Sequence, residues 1–410
     1  MTRSSQVNNA DGMLLKNQIA ILQHIQRGSC VTRTQLAEHT GLTRAGVSKI
    51  TAQLIEAGIV EEAALLTGKK GRRSIGLSIT EGGNKIIGVK LSRRNYSIGV
   101  FSFSGQLLEK TNKTISIDDA DEEIFSQIQK IVLGYIKNDK QIVAVGVAVP
   151  GPFLINEKKI LLISELDKKA RRDLSVANMF NDDAFKDIPV IISHDANAGA
   201  MADWWFGIEK KDLQGCIVHF LVGEGVGAGV IYNGEIINGS QGTAAEIGHI
   251  SIDYKGPDCV CGNCGCLEMY CSSLAFLRFC YNERKNHPDS KLNDYETLTT
   301  EIIFSLSDEG DTFAQECVKR AGFYIGLGCV NIINGFNPNT IFICNEMSKG
   351  GKLLLDEINN VVQSRILKEI RQNVSIELST FDGDDILFGA AAVAIDFCLK
   401  RPEFLTQKNN

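Results

Sequence analysis

No stretch of this 410-residue sequence comes near the roughly 18 consecutive apolar residues that a membrane-spanning helix needs. The amino-terminal "MTRSSQVNNADGMLLKNQ" also lacks an apolar run of signal-peptide length, so a cytoplasmic protein with no membrane partner is expected. A positive charge excess is lacking too. With 43 Lys+Arg against 49 Asp+Glu the net charge is −6, which over the whole chain argues against a nucleic-acid binder. What is present is length and apolar content. At 44% hydrophobic residues the chain can bury large cores, and its length calls for two or three domains.

The average charge hides an asymmetry. Residues 1–80 hold ten Lys/Arg and five Asp/Glu, a net of +5, which leaves −11 on the other 330. A small basic head on a large acidic body points to an anionic partner for the head. In that head Leu15, Ile19, Leu22 and Ile25 stand near helical spacing, and Gly28 suits a helix stop. Thr32 with Gln35 three residues on is a capping-box pattern that starts a second helix. Gly41 permits a sharp turn, and Thr43 can cap a third helix running to about Ala57. Leu36, Ala37, Leu42, Val47, Ile50 and Leu54 would face inward, leaving Arg44, Ser48, Lys49 and Gln53 outward.

A short helix, a glycine turn and a polar-faced second helix make a helix-turn-helix. Gly46 inside the third helix costs about 1 kcal/mol relative to Ala. Either close approach of DNA to the backbone or local packing would explain it. "GIVEEAALLTGKKGRRSIGLSIT" then reads as strand, basic turn and strand, a wing with Lys69, Lys70, Arg72 and Arg73 at its tip. Those charges would neutralise phosphates or enter a minor groove. The expected partner is double-stranded DNA, contacted by Thr43, Arg44, Ser48, Lys49, Gln53, Lys69, Lys70, Arg72 and Arg73. The alternative is a helical bundle with a solvated basic loop.

From Lys85 the pattern changes to mixed strands and helices in two successive sets, which argues for two α/β lobes with a cleft between them. "SHDANAGA" places Asp195 and Asn197 where a buried strand opens into a helix, a usual position for ligand-facing polar groups, although Asp195 could simply cap that helix. "GEGVGAG" (Gly223–Gly229) could cradle a phosphate, but a tight hairpin needs the same glycines. Of the twelve cysteines, seven are scattered in mostly apolar surroundings and read as small buried hydrophobes. Cys259, Cys261, Cys264, Cys266 and Cys271 crowd together, and in a reducing cytosol such crowding favours a metal over disulfides.

Taken in order, the winged head, "VPGP", "DANAGA", "GEGVGAGVI", "EIGH", "CVCGNCGCLE" and "NIINGFNPNTIFI" resemble the ROK family of bacterial sugar kinases and sugar-responsive repressors. The resemblance spans nearly the whole chain. It implies an α/β, actin-like (ribonuclease H-like) two-lobed sugar-kinase fold preceded by an amino-terminal winged helix-turn-helix. The head would span 1–82 and the first lobe 83–197, joined by the carboxy-terminal helix 387–410. The second lobe, 198–386, would carry the metal loop and a dimerisation surface. The resemblance also implies one structural Zn2+ per chain on His249, Cys259, Cys261 and Cys266, with Cys271 beyond the motif and Cys264 either a free thiol or a competing ligand. Three sulfurs and one nitrogen close a tetrahedron and leave no position for water, as structural zinc requires.

The family's kinases hold ATP on an Asp-x-Gly-Gly-Thr turn. Here "VKLSRRN" puts Lys90 at the aspartate, Ser92 and Arg93 at the glycines and Arg94 at the threonine, and "CNEM" replaces the adenine-side glycines. The sugar side is expected to comprise Gly151, Glu165, His194, Asp195, Glu246, His249 and Glu268, with Glu165 and His194 departing from the family pattern. Asp195 matches the family's general base.

These features together predict a non-enzymatic, sugar-responsive transcriptional repressor of carbohydrate genes, acting on operator DNA as a homodimer or tetramer. A sugar or sugar-phosphate bound in the interlobe cleft would alter operator affinity. The rival readings are an active ATP-dependent sugar kinase with a DNA-binding head, and a regulator controlled by a protein partner.

Overall fold

The computed structural model describes residues 9–28, 30–67, 73–116, 119–162, 172–180, 183–207, 215–379, 381, 384–401 and 403–406. The chain divides into two compact units. One comprises Met1–Val147, Met179–Ile192 and Ala390–Asn410, the other Ala148–Asn178 and Ser193–Gly389.

The first unit begins with α1 (Asn9–Gly28), β1 (Val31–Thr32), α2 (Arg33–Thr40), α3 (Arg44–Glu56), β2 (Val60–Thr67) and β3 (Arg73–Ile79). Local side-chain chemistry sets these boundaries. Thr32 Oγ1 accepts the Gln35 amide at 3.2 Å while Gln35 Oε1 accepts the Thr32 amide at 2.8 Å, so the expected capping box closes and starts α2. Gly41 ends α2 at φ 69°, a left-handed conformation that a Cβ would penalise. Thr43 Oγ1 then accepts the Gly46 amide at 3.1 Å and starts α3. A Cβ on Gly46 would stand 3.2 Å from that same oxygen, so the glycine inside α3 makes room for the helix's own cap.

Leu22, Ile25, Leu36, Val47, Ile50, Leu54 and Leu77 are buried and form the head's core, each worth about 1.5–3 kcal/mol of transfer free energy. On α1 the buried stripe starts at Ile21; Leu15, expected on the same face, is 39% exposed. Strand β3 lies between β1 and β2, antiparallel to both, and the Thr67–Arg73 pair closes the hairpin. The expected wing tip, with Lys69, Lys70 and Arg72, falls on residues 68–72, outside the described residues.

Next come β4 (Lys85–Leu91), β5 (Asn95–Ser102), β6 (Leu107–Thr114), α4 (Asp121–Asn138) and β7 (Ile142–Val149). Short strands β8 (Phe153–Leu154), β9 (Lys159–Leu162) and β10 (Arg172–Ser175) form a small sheet before β11 (Val190–His194) and α5 (Asp195–Phe206). The second unit continues with β12 (Cys216–Val222), β13 (Val226–Tyr232), β14 (Glu235–Ile236), α6 (Glu268–Cys271), α7 (Ser273–Glu283), α8 (Thr300–Asp308) and α9 (Thr312–Phe336). After β15 (Thr340–Cys344), α10 (Gly351–Arg365), α11 (Lys368–Arg371) and β16 (Ser375–Leu378), the helix α12 (Asp385–Lys400) and the short α13 (Glu403–Thr406) end the described chain.

Two five-stranded sheets repeat one topology. In β6-β5-β4-β7-β11 and in β14-β13-β12-β15-β16, a three-strand antiparallel meander is followed by a fourth strand beside the first and a fifth beside the fourth. Strand β15 is parallel to both β12 and β16, and such pairs need long crossovers, supplied here by α6–α9 and by α10–α11. Strands β7 and β12 are buried at every position, as central strands covered on both faces must be. A winged head followed by a repeated α/β sheet is the architecture that the motifs imply. Substituting Thr32→Ala opens the capping box and is expected to lower the head's stability by about 1 kcal/mol. Hydrogen exchange of the α2 amides checks this, since an unchanged rate would mean that the box carries no load.

Candidate functional site

Residues 246–271 contain little regular structure: a 3-10 turn at Ile247–His249, the four-residue α6, and two isolated antiparallel bridges, Ser251–Cys266 and Asp258–Cys264. Main-chain hydrogen bonds fold the segment back on itself: Ile252 N donates to Gly265 O at 2.8 Å, Cys259 N to Asn263 O at 2.8 Å, and Leu267 N to Ile250 O at 3.0 Å. The folding brings the donor atoms of His249, Cys259, Cys261 and Cys266 within 4.8 Å of one another. Cys259 Sγ stands 3.7 Å from His249 Nδ1, and Cys261 Sγ stands 3.7 Å from Cys266 Sγ. Donors bonded at about 2.0–2.3 Å around a tetrahedral ion would be separated by about 3.5–3.8 Å, so the residues fit a closed metal centre. Burial is the first cause that pushes the Cys259 and Cys266 thiols up, and a bound cation is what would hold them as thiolates. Cys264 points elsewhere, donating to Tyr254 O at 3.3 Å, and Cys271 is packed into the main apolar core of the second unit.

Beside this loop, and within the same unit, lies a polar cluster. His194 ends β11 and Asp195 begins α5. Asp195 Oδ1 accepts the Ala196 amide at 2.7 Å and pairs with His194 Nε2 at 3.1 Å, so it serves the helix start and the cluster together. Gly151 lies directly against the imidazole, and a Cβ there would overlap His194 Nε2. Glu246 precedes the 3-10 turn; its Oε1 is buried and has no hydrogen bond. Glu268 begins α6, and its Oε2 accepts the Val226 amide at 2.9 Å.

These groups feel one another. Burial raises the Glu246 carboxyl, the charges of His194 and His249 lower it, Asp195 and Glu268 raise it again, and the net shift is upward. Burial alone would lower His194, but the charge and hydrogen bond of Asp195 and the charge of Glu246 outweigh it, and its pKa is raised. Five of the expected sugar-side positions, Gly151, His194, Asp195, Glu246 and Glu268, thus come together with the metal-side His249. Glu165 lies outside the described residues.

The sequence reading missed Asn238. Its Oδ1 accepts from Asn197 Nδ2 at 3.4 Å, while Asn197 Oδ1 is buried with no hydrogen bond. Asn238 sits in a polar loop with no periodicity, and only the fold brings it near α5. The "GEGVGAG" glycines have a packing role that neither earlier alternative included. A Cβ on Gly229 would overlap Ala196 O, and one on Gly227 would touch the Ala196 and His194 side chains, so β13 lies tight against α5.

On the head, Arg44, Ser48, Lys49 and Gln53 are all exposed along α3, as is the capping Thr43. The pairs 44/48 and 49/53 each follow the four-residue helical repeat, and the two rows flank the side of α3 opposite the buried Val47, Ile50 and Leu54. Behind that face Arg33 binds Thr51 Oγ1 at 3.2 Å and Glu62 Oε1 at 2.9 Å, tying α2, α3 and β2 together. Arg73 is the first residue of β3.

Replacing Cys266→Ser is expected to remove the bound metal and lower the unfolding temperature, while Cys264→Ser changes neither. Metal analysis of the purified variants with parallel thermal unfolding decides, and equal metal loss from both would contradict the assigned donor set. Gly151→Ala is expected to destabilise by about 1–3 kcal/mol through overpacking against His194, read by denaturant unfolding.

Comparison with known proteins places these features in a family. A match to the ROK family covers residues 86–396, and a match to winged helix-turn-helix DNA-binding domains covers 14–61. The chain is 28% identical to a protein named xylose repressor from Caldicellulosiruptor bescii, over 95% of this chain and 97% of that one. It is 29% identical to the DNA-binding transcriptional dual regulator NagC of Escherichia coli, over 92% of each. Among solved structures, a ROK family transcriptional regulator described as a homologue of the E. coli MLC protein superposes with a TM-score of 0.78 at 24% identity, covering 96% of this chain and 99% of that one. A ROK family glucokinase from Streptomyces griseus, solved with glucose and AMPPNP, matches over 76% of this chain and 99% of its own, with a TM-score of 0.66 and 24% identity. The family match spans the α/β body and is preceded by the winged head: the chain belongs to the ROK family.

Proposed function

We propose that this protein is a cytoplasmic, sugar-responsive transcriptional repressor that binds operator DNA through residues 1–82 and senses a sugar with its ROK body. The observation that carries the reading is the exposed set Arg44, Ser48, Lys49 and Gln53 on the solvent side of a capped helix of a winged head. Arginine and lysine there suit phosphates and guanine edges, while serine and glutamine suit base and sugar contacts. The names of the similar proteins, xylose repressor and NagC, support regulation of carbohydrate genes. Two heads in a dimer would read an inverted repeat. The ion in the 246–271 loop would be Zn2+, one per chain, and its role structural, because His249 and three cysteines leave it no open position.

The sugar would bind at His194, Asp195, Glu246 and Glu268, where Glu246 Oε1 and Asn197 Oδ1 are acceptors waiting for hydroxyl donors. A kinase needs positioned phosphates and metal as well as a base. The turn between β4 and β5 is closed by Ser92 N on Asn95 O at 2.8 Å and carries arginines rather than a run of glycine amides. Asp195, the position of the family's base, is already engaged by Ala196 N and His194. Both features support a body that recognises a sugar without transferring phosphate to it.

Arg44→Ala or Lys49→Ala is expected to weaken operator binding by about 1–3 kcal/mol and to reduce the slope of log affinity against log salt by about one. Sugar binding by the same variants stays unchanged. Fluorescence anisotropy with operator DNA and calorimetry with sugars test this. Equal loss of both activities, or ATP-dependent sugar phosphorylation above a blank, would overturn the reading.

A further inference from the structure

The second unit holds another group of titratable side chains that neither the metal loop nor the sugar-side cluster uses. His219 stands in the middle of β12, "CIVHFLV", and is 0% exposed. Its Nδ1 lies 2.7 Å from Asp203 Oδ2 on α5, and its Nε2 lies 3.4 Å from Asp385 Oδ2 at the first residue of α12. Both carboxylates are buried as well. Cys344, at the end of β15, places Sγ 3.1 Å from the same Nδ1 and also reaches Phe342 O at 3.3 Å. Gly199 on α5 lies against the imidazole, and a Cβ there would overlap Nε2.

A metal ion or a proton could hold such a group, and the spacing decides between them. Donors around a metal stand about 3.5–3.8 Å apart when the bonds are about 2.0–2.3 Å. The 246–271 loop shows 3.7 Å for two donor pairs. Here the separations from Nδ1 are 2.7 and 3.1 Å, hydrogen-bond distances that leave no room for an ion. A neutral imidazole has one N–H and one lone pair. With a carboxylate oxygen at each nitrogen, a neutral ring would turn its lone pair toward an anion. Asp385, neither of whose oxygens has a hydrogen bond, would then be a bare buried charge. His219 Nε2 likewise has no hydrogen bond, and a doubly protonated ring sets a positive charge 3.4 Å from Asp385 Oδ2 in place of a lone pair.

We infer that His219 is held as a buried imidazolium between Asp203 and Asp385, and that this ion triad pins the first turn of α12 to α5 and β12 only while the proton is present. Close packing agrees with the pinning: a Cβ on Gly389 in α12 would overlap Ala198 O of α5. The facing groups are Asp203 and Asp195 from α5, Asp385 from α12 and Cys344 from β15. Burial keeps the Cys344 thiol neutral by pushing it well up. Burial alone would lower His219, but the charges of Asp203, Asp385 and Asp195 and the Asp203 hydrogen bond outweigh it, and its pKa is raised.

A histidine raised in the folded state contributes its stabilisation fully below its unfolded pKa of about 6.5 and loses it as pH rises through the folded value. Asp203, raised first by burial, also loses stabilisation as pH rises, but over its own window that starts at its ordinary value of 3.8, so the alkaline part belongs to His219. Stability of this unit therefore falls on the alkaline side.

The test uses the full chain labelled with 15N at its six histidines. Ring spectra near pH 7 are expected to show His219 protonated on both nitrogens, identified by its loss in His219→Gln, with its titration midpoint lowered in Asp385→Asn. Thermal unfolding of the wild type is expected to decline from about pH 6.5 upward, and His219→Gln to lack that part of the decline. If His219→Gln does not fold, the wild-type and Asp385→Asn spectra decide alone. A singly protonated His219 ring near neutrality, or an unchanged alkaline decline in a folded His219→Gln, would overturn the inference. So would the loss of a second bound ion on that substitution, which would restore the metal reading.

Discussion

Four donor atoms from a loop with almost no secondary structure set the geometry on which the polar cluster depends. His249, Cys259, Cys261 and Cys266 converge from two ends of residues 246–271, and each end also carries a carboxylate, Glu246 or Glu268. Without a cation, the thiol and imidazole contacts at 3.7 Å are weak, and burial disfavours the thiolates. With one, the same atoms become a staple that fixes two carboxylates on one side of His194 and Asp195. A metal in the loop and the polar cluster beside it would thus be linked through position.

The cluster is built by close approach as much as by charge. Gly151 and Gly227 both face His194, and Gly229 lets β13 lie on the backbone of α5. One helix therefore serves two polar groups, Asp195 at its amino end and Asp203 two turns later, the second paired with the buried His219. In both, a histidine holds a carboxylate inside the fold where an unpaired charge would be costly. The proposed sensing of a sugar and the proposed proton-dependent pinning of α12 therefore act on the same helix.

Much of this was legible in the sequence where the signal is local. Thr32–Gln35, Gly41 and Thr43 mark helix ends by chemistry that operates over three residues, and each boundary lies where those residues put it. The crowding of cysteines after residue 258 is also local and pointed to a metal, while the family resemblance supplied His249 and the choice among the cysteines. The long-range partnerships could not. His219 meets Asp203 from 16 residues away and Cys344 from 125, and no periodicity connects them. A lone histidine inside the apolar run "CIVHFLV" was the available signal, since a polar side chain in a fully buried strand must find a partner. The glycines of "GEGVGAG" were legible as glycines but not as helix contacts, because the residue they accommodate, Ala196, lies on another element.

Repression by a sugar-responsive regulator requires that sugar and operator bind the same molecule with unequal preference for its states. The most direct test is calorimetric titration of neutral sugars and sugar phosphates into the metal-loaded chain, alone and saturated with operator DNA. Linkage requires that the factor by which the sugar changes operator affinity equal the factor by which the operator changes sugar affinity. The proposed function predicts one sugar whose affinity falls on the operator complex by that same factor. Identical sugar affinity with and without operator, or binding of no sugar at all, would contradict it.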